Sequence, residues 1–282
     1  MKNTILLYLV LFLTLPTFAQ SESTPIHVQV TGKGQPLLLI PGFTVPGSIW
    51  DPMVKELEKN YECHVVTLAG FGGKAPISFP WLPKVNTAIK EYILKNNLKN
   101  TSVVGHSLGG TIALWLASQS QIELNHIILV DALPAAGALM IPNYNPENLV
   151  YESPYNDQQL AMDATAFEQM AAAMSKGMSL EPAAQQKIKN WMLQSDRKTY
   201  VYGYTDYLKL DLREALKQID IPVTIIAASQ PYGEAMVKQT YSDQYANLKD
   251  YNLVVAQDSA HFIMLDKPNW FLQRIQLILA AH

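Results

Sequence analysis

Apolar positions along the chain follow two rhythms. Short, nearly continuous apolar runs fall at 26–30, 36–40, 64–68, 101–105, 127–131, 223–228 and 251–256. From Pro36 onward they lack polar alternation, the pattern of strands buried on both faces of a sheet. Between them, apolar side chains recur at helical spacing. One helix opens at Asp51-Pro52, an acidic cap followed by a proline in the first turn, and others are predicted over 88–95, 108–118 and 270–280. Strands alternating with helices predict βαβ units and a mostly parallel, twisted sheet flanked by helices, an α/β fold.

The alternation breaks once. Between Asp131 and Pro222 no strand pattern is found, and the segment is helix-prone and rich in alanine, methionine and tyrosine. It holds six of the ten methionines, Met140, Met162, Met170, Met174, Met178 and Met192. The expected organisation is a core of residues 20–131 and 213–282, interrupted by a helical cap at 132–212. Methionine fills irregular apolar space, so these side chains are expected to pack the cap onto the core, and some of them to line an apolar cleft.

Composition narrows the classes. Of 282 residues, 49% are hydrophobic and 16% charged, enough to build a large core and too apolar for disorder. The net charge is −3 and no basic stripe stands out, which argues against nucleic acid as a partner. Cys63 is the only cysteine, so no intrachain disulfide can form, and its place in a strand-like run predicts a buried structural thiol. No Cys/His spacing suggests a metal site. Lys2, the apolar stretch 5–15 and a small residue at Ala19 lay out a signal peptide, residues 1–19, cleaved before Gln20. The apolar stretch is shorter than the roughly 20 residues a membrane span needs, so the expected product is exported, periplasmic or secreted, with no stable span after cleavage.

The candidate chemistry centres on Gly105-His106-Ser107-Leu108-Gly109-Gly110, which follows an apolar run and precedes the helical 111–117. G-x-S-x-G between a strand and a helix is a nucleophile elbow. The turn is so sharp that side chains at Gly105 and Gly109 would collide with the neighbouring helix and strand. It lifts the Ser107 hydroxyl above the carboxyl end of the sheet and aims the helix amino end at developing negative charge. A serine hydroxyl needs a base. Of the six histidines, His261 follows the final strand-like run on a loop that can reach the elbow. His27, His64 and His126 sit in or beside strands and read as packing or surface residues, His282 ends the chain, and His106 is expected to point elsewhere from the tight turn.

With Leu37-Leu38-Leu39-Ile40-Pro41-Gly42-Phe43, the elbow, and Asp258-Ser259-Ala260-His261-Phe262 on one chain, the sequence resembles the α/β-hydrolase superfamily over nearly all of its length after residue 19. The resemblance implies a sheet of the eight-strand type. It also implies an oxyanion hole made by the main-chain N–H groups of Phe43 and Leu108. Many members carry His-Gly after the early strand, where this chain has Pro41-Gly42, but backbone donors do not depend on that histidine. Haloalkane dehalogenases and epoxide hydrolases share the layout but place aspartate at the elbow, so Ser107 argues against both.

The third member of a Ser-His-acid triad stays open at this level. The loop in which members usually carry the acid reads Ser229-Gln230-Pro231-Tyr232-Gly233-Glu234 and has no aspartate, leaving Glu234 as the alternative. The first candidate is Asp131, ending the strand after the elbow helix, where pancreatic-type lipases place theirs. Gly70-Phe71-Gly72-Gly73 lacks the dinucleotide-binding pattern and is expected to shape the site rim, and Trp50 and Trp81 read as packing residues.

The expected function is hydrolysis of a carboxylic ester, or a related acyl bond, in a partly apolar small molecule through an acyl-enzyme, without metal or organic cofactor. A prolyl-aminopeptidase-like peptidase, using Glu147, Glu152, Asp157 and Asp163 to hold a substrate amine, and an acyltransferase are the alternatives on the same fold. A non-catalytic ligand-binding protein is the alternative of another class.

Overall fold

The computed structural model describes residues 23–281, so the signal-peptide reading and His282 lie outside the described residues. Seven strands form one sheet: β1 Ile26–Thr31, β2 Gln35–Ile40, β3 Tyr61–Leu68, β4 Thr101–His106, β5 Leu124–Val130, β6 Val223–Ala228 and β7 Asn252–Ala256. The order is β1-β3-β2-β4-β5-β6-β7, with β1 antiparallel to β3 and every other pair parallel. Each predicted run is a strand. The sheet has seven strands among the described residues rather than the expected eight, because its antiparallel edge is made by β1 alone.

Successive residues of the central strands serve opposite faces, as the two-residue period requires. Leu38 and Ile40 of β2 join one buried cluster and Leu37 and Leu39 the other. The first cluster is covered by helices α2 Trp81–Lys95 and α3 Leu108–Ala117, and the second by α1 Asp51–Leu57. Between β5 and β6 the chain forms α4 Ala136–Met140, α5 Pro154–Ala161, α6 Ala164–Met178, α7 Pro182–Gln194 and α8 Tyr204–Lys209, with a π-helical turn at Thr199–Gly203 and no strand. Helices α9 Glu234–Gln244, α10 Ile263–Asp266 and α11 Pro268–Ala280 complete the chain. Among the described residues no helix is long and apolar enough to cross a membrane.

Two helix starts differ from expectation. Asp51 is the first residue of α1 and makes no capping bond, since a short 3₁₀ turn, Gly47–Trp50, already leads into the helix. Helix α2 begins at Trp81, well ahead of the expected 88. The Oδ2 atom of Asp206 in α8 accepts the free N–H groups of Trp81 (2.7 Å) and Leu82 (3.0 Å). A remote carboxylate thereby supplies the capping that the local sequence lacks.

The sheet order sets the location of the site. From β2 the chain crosses to β3 on one side and then returns to β4 on the other, so β2 and β4 are neighbours with connections leaving in opposite directions. Such a switch point opens a crevice at the carboxyl ends of the two strands. The residues that follow are Pro41-Gly42-Phe43 after β2 and Ser107 after β4, brought level by the pairing of Ile40 with Gly105.

Candidate active site

Ser107 sits between β4 and α3 with φ 52° and ψ −121°, a strained conformation for a residue with a side chain. Its N–H donates to the Val130 carbonyl at 2.9 Å, tying the turn to β5. The need for glycine is steric. A Cβ on Gly105 would lie 2.3 Å from the Gly109 carbonyl oxygen, and one on Gly109 would lie 2.2 Å from that of Ile40. Gly42 is equally confined, since a Cβ there would meet His106 Nδ1 at 2.8 Å and Ser107 Cβ at 3.2 Å. The β2 loop therefore runs against the elbow. It forms a turn closed by the Val45 N–H on the Gly42 carbonyl, with Thr44 at φ 67°. Among the described residues, neither the Phe43 nor the Leu108 N–H has a backbone or side-chain acceptor.

Asp131 follows β5 directly, with φ 45°, and its Oδ2 accepts from His261 Nδ1 at 2.7 Å. Its Oδ1 accepts the Ala228 N–H at 2.9 Å and the Tyr241 hydroxyl at 3.1 Å. The carboxylate is thus held at both oxygens, and one of them fixes the imidazole with Nε2 free to accept a proton. Burial, and next the Asp131 charge, push the Tyr241 hydroxyl well above its ordinary value, so it stays protonated and donates. Glu234 is placed elsewhere. It begins α9 on the exposed surface, paired with Lys238 at 2.5 Å and with the Gln257 side-chain amide at 2.6 Å.

The His261 loop is held from two sides. Asp266 Oδ2 accepts the Ala260 N–H at 2.7 Å while its Oδ1 accepts the Ser179 hydroxyl at 2.5 Å and the Leu180 N–H at 3.1 Å. The Phe262 N–H donates to the Met178 carbonyl at 3.0 Å. Both ties join the loop to the segment between β5 and β6, so the placement of His261 depends on that insertion.

His106 does not point away from the site. Its ring packs 4.6 Å from that of His261 and 4.7 Å from Phe262, and its Nε2 lies 3.1 Å from the His261 carbonyl. A carbonyl only accepts, so Nε2 carries the hydrogen and Nδ1, buried without a partner among the described residues, is bare. Complete burial, and next the proximity of His261, lower the His106 pKa well below its ordinary 6.5, keeping the ring neutral. A bulky turn residue is hard to place from sequence, because its direction depends on where the β7–α10 loop returns.

Ser107, His261 and Asp131 share one cavity of about 720 Å³. Tyr207 of α8 also faces it, nearly fully buried, with its hydroxyl directed at those of Thr111 and Ser107. Neither Tyr207 nor Tyr241 carries a sequence signal, since each is one tyrosine among fourteen on a helix with ordinary spacing. Five of the six methionines of the insertion line the cavity. Met162 does not, and Met236 of α9 joins them.

The remaining expected residues fall outside the cavity. The 70–73 loop does not form its rim: Phe71 is fully buried and supports Phe43 edge-on at 4.8 Å, while Gly70 accepts the Asp196 N–H at 2.8 Å through its carbonyl. Its glycines serve close packing, since a Cβ on Gly70 would meet the Thr199 side chain at 2.6 Å. Trp50 stacks on Phe271, and Trp81 donates to the Ala69 carbonyl at 3.0 Å, both buried. Cys63 is buried and its thiol is pushed up to about 11. His64 bonds Tyr92 and Glu62, and His126 bonds Thr224. None of Glu147, Glu152, Asp157 and Asp163 lines the cavity, and Asp163 instead caps α6.

Residues 37–274 match the model of the alpha/beta hydrolase family. The chain belongs to that family. Within it, the chain is 27% identical over 208 residues to a pimeloyl-[acyl-carrier protein] methyl ester esterase of Vibrio vulnificus, spanning 71% of this chain and 78% of that protein. Among solved structures, an esterase from Exiguobacterium antarcticum superposes with a TM-score of 0.73 at 20% identity, covering 90% of this chain and 95% of that one. An enol-lactonase from Burkholderia xenovorans gives 0.72 at 16% identity, with 90% and 96% covered. For this α/β hydrolase, the insertion between β5 and β6, the loops after β2, β4, β5, β6 and β7, and helix α9 together build the cavity.

Proposed function

We propose that the protein hydrolyses carboxylic esters through an acyl-enzyme on Ser107. The observation that carries the reading is the Asp131–His261 contact of 2.7 Å in the same cavity as the strained Ser107 turn. His261 Nε2 takes the Ser107 proton as Oγ attacks the ester carbonyl, and the Phe43 and Leu108 N–H groups receive the oxyanion. As the tetrahedral intermediate collapses, the carbon–oxygen bond to the alcohol breaks and the imidazolium returns its proton to the leaving oxygen. Water, deprotonated by His261, then attacks the acyl-enzyme, releasing the carboxylic acid and Ser107. Asp131 holds the Nδ1–H tautomer and stabilises the imidazolium formed twice per cycle. Ester-cleaving relatives and structural neighbours support this class of reaction.

A peptidase of the aminopeptidase kind draws no support from the cavity, whose only carboxylate among the described residues is Asp131. Acyl transfer to an alcohol would use the same intermediate. The test is labelling of the protein with a fluorophosphonate together with turnover of p-nitrophenyl acetate and butyrate, beside Ser107→Ala. Labelling and turnover lost in Ser107→Ala are expected. A folded protein that neither labels nor turns over would establish the binding-protein reading instead. The cap assignment, 132–212, is part of the proposal, as is export: Lys2, the apolar 5–15 stretch and Ala19 support cleavage before Gln20. N-terminal sequencing of protein recovered from the expressing cells and medium should begin at Gln20.

A further inference from the structure

We propose that this site selects a neutral ester with a long apolar acyl chain, held by the methionine-rich wall that the insertion builds over the oxyanion side of Ser107; the inference rests on the hydrolase reading. The first ground is what the cavity lacks. Among the described residues its lining includes no Lys, Arg or Glu, and its one Asp is Asp131, whose oxygens are already taken by His261, Ala228 and Tyr241. A substrate carboxylate or phosphate carried into it would lose water and meet no cation, an expensive exchange. Of the other polar side chains in the lining, the Asn156 amide is engaged with the Val150 and Tyr151 carbonyls and Thr205, and Thr44, Gln159, Gln230 and Thr240 carry no charge.

The second ground is where the apolar wall stands. The leaving oxygen must face His261 to collect its proton and the oxyanion must face the Phe43 and Leu108 N–H groups, which leaves the acyl chain the wall beside the Phe43 ring. The Phe43 ring packs 6.0 Å from Tyr200 and 5.3 Å from Tyr204. Those two tyrosines turn their hydroxyls onto thioethers, Tyr200 to Met174 and Tyr204 to Met140, each at 3.6 Å. Burial pushes the Tyr200 phenol up to about 12 and raises that of Tyr204 as well, so neither offers a charge to substrate. What faces the acyl path is ring and thioether, polarisable and adaptable surface suited to a flexible chain.

The third ground is continuity. The cavity, about 720 Å³, exceeds what an acetyl group can use, and its apolar lining runs out to the surface. Leu139, Met140, Tyr155 and Met236 all line it while more than half exposed. Such a rim covers the far methylenes of a chain too long to be enclosed.

The test is kcat/KM for p-nitrophenyl acetate, butyrate, hexanoate, octanoate and dodecanoate, with mono-p-nitrophenyl adipate as the charged partner of hexanoate. Each buried methylene is worth up to about fourfold. The expected rise from acetate to octanoate is at least about 30-fold, because an open cleft realises part of that, and adipate is expected at least about tenfold below hexanoate. Met174→Glu should lower the octanoate-to-acetate ratio by roughly tenfold and Met174→Leu should keep it. Met174 is 39% exposed, so both variants should fold, and fluorophosphonate labelling verifies it. Ser107-dependent acetate turnover with a flat or falling chain-length series, or adipate turned over as well as hexanoate, would overturn this specificity and leave the hydrolase reading standing. Absence of labelling and of turnover on every ester would remove both.

Discussion

Replacing Asp131 with asparagine keeps the size and shape of the side chain and alters one atom's role, and the surrounding donors determine which atom that is. The position of Oδ1 faces two hydrogens, the Ala228 N–H at 2.9 Å and the Tyr241 hydroxyl at 3.1 Å. The position of Oδ2 faces His261 Nδ1. Turning the amide nitrogen toward Ala228 would set donor against donor and leave a backbone N–H unsatisfied, a cost of about 1–3 kcal/mol. The asparagine therefore keeps its oxygen there and presents NH₂ to His261, so Nδ1 must accept and the hydrogen moves to Nε2. That tautomer cannot take the Ser107 proton. Reaching the productive tautomer requires the unfavourable flip, and the imidazolium then lacks an anion worth about 4 kcal/mol at the effective dielectric of a partly exposed pair. Together these, about 5–7 kcal/mol, predict a fall in kcat/KM of roughly 10⁴- to 10⁵-fold on p-nitrophenyl butyrate. The melting temperature, measured alongside, should confirm a folded variant. Glu234→Gln should stay within about twofold, since Glu234 is exposed and engaged with Lys238 and Gln257. A folded Asp131→Asn within tenfold of the parent, or a larger loss in Glu234→Gln, would refute the assignment of the acid.

Tyr241→Phe removes one of the two donors on Asp131 Oδ1 while keeping the ring stacked on Tyr245, and should lower kcat by about three- to tenfold at nearly constant KM; an unchanged kcat would show that Ala228 alone holds the carboxylate. Gly105→Ala should abolish soluble folded protein, because its Cβ would stand 2.3 Å from a backbone carbonyl, and a normal melting transition in this variant would contradict the elbow geometry. His106 is neutral when folded, with a pKa well below the 6.5 of the unfolded chain, so its contribution is complete above that value. As pH falls below 6.5 the unfolded state takes up a proton that the folded state refuses, and stability drops by up to about 1.4 kcal/mol per pH unit from this group alone. His64, also lowered chiefly by burial, adds to the wild-type slope. Urea unfolding at pH 7.5, 6 and 5 should therefore show a shallower loss in His106→Gln than in the parent, and parallel slopes would disprove a neutral His106.

Much of this protein could be read along the chain because it is local. A strand buried on both faces must be apolar throughout, so seven short runs became seven strands, with boundaries displaced by a few residues at β3 and β5. The elbow was legible because a turn this tight admits only glycine at 105 and 109 and needs a strand before it and a helix after it. Chain order then left His261 as the one histidine able to return to Ser107. What the chain could not settle are contacts whose partners are far apart in sequence. The sequence ranked Asp131 ahead of Glu234 but left both open until β5 and β6 paired and set the Ala228 N–H and the His261 ring against Asp131, while Glu234 turned outward at the start of α9. The early start of α2 depends on Asp206 in α8, and the direction of His106 on the carbonyl of His261. Periodicity and steric exclusion act between neighbours and are written in the sequence. A hydrogen bond between residues more than a hundred positions apart exists only after the sheet has fixed where each loop returns.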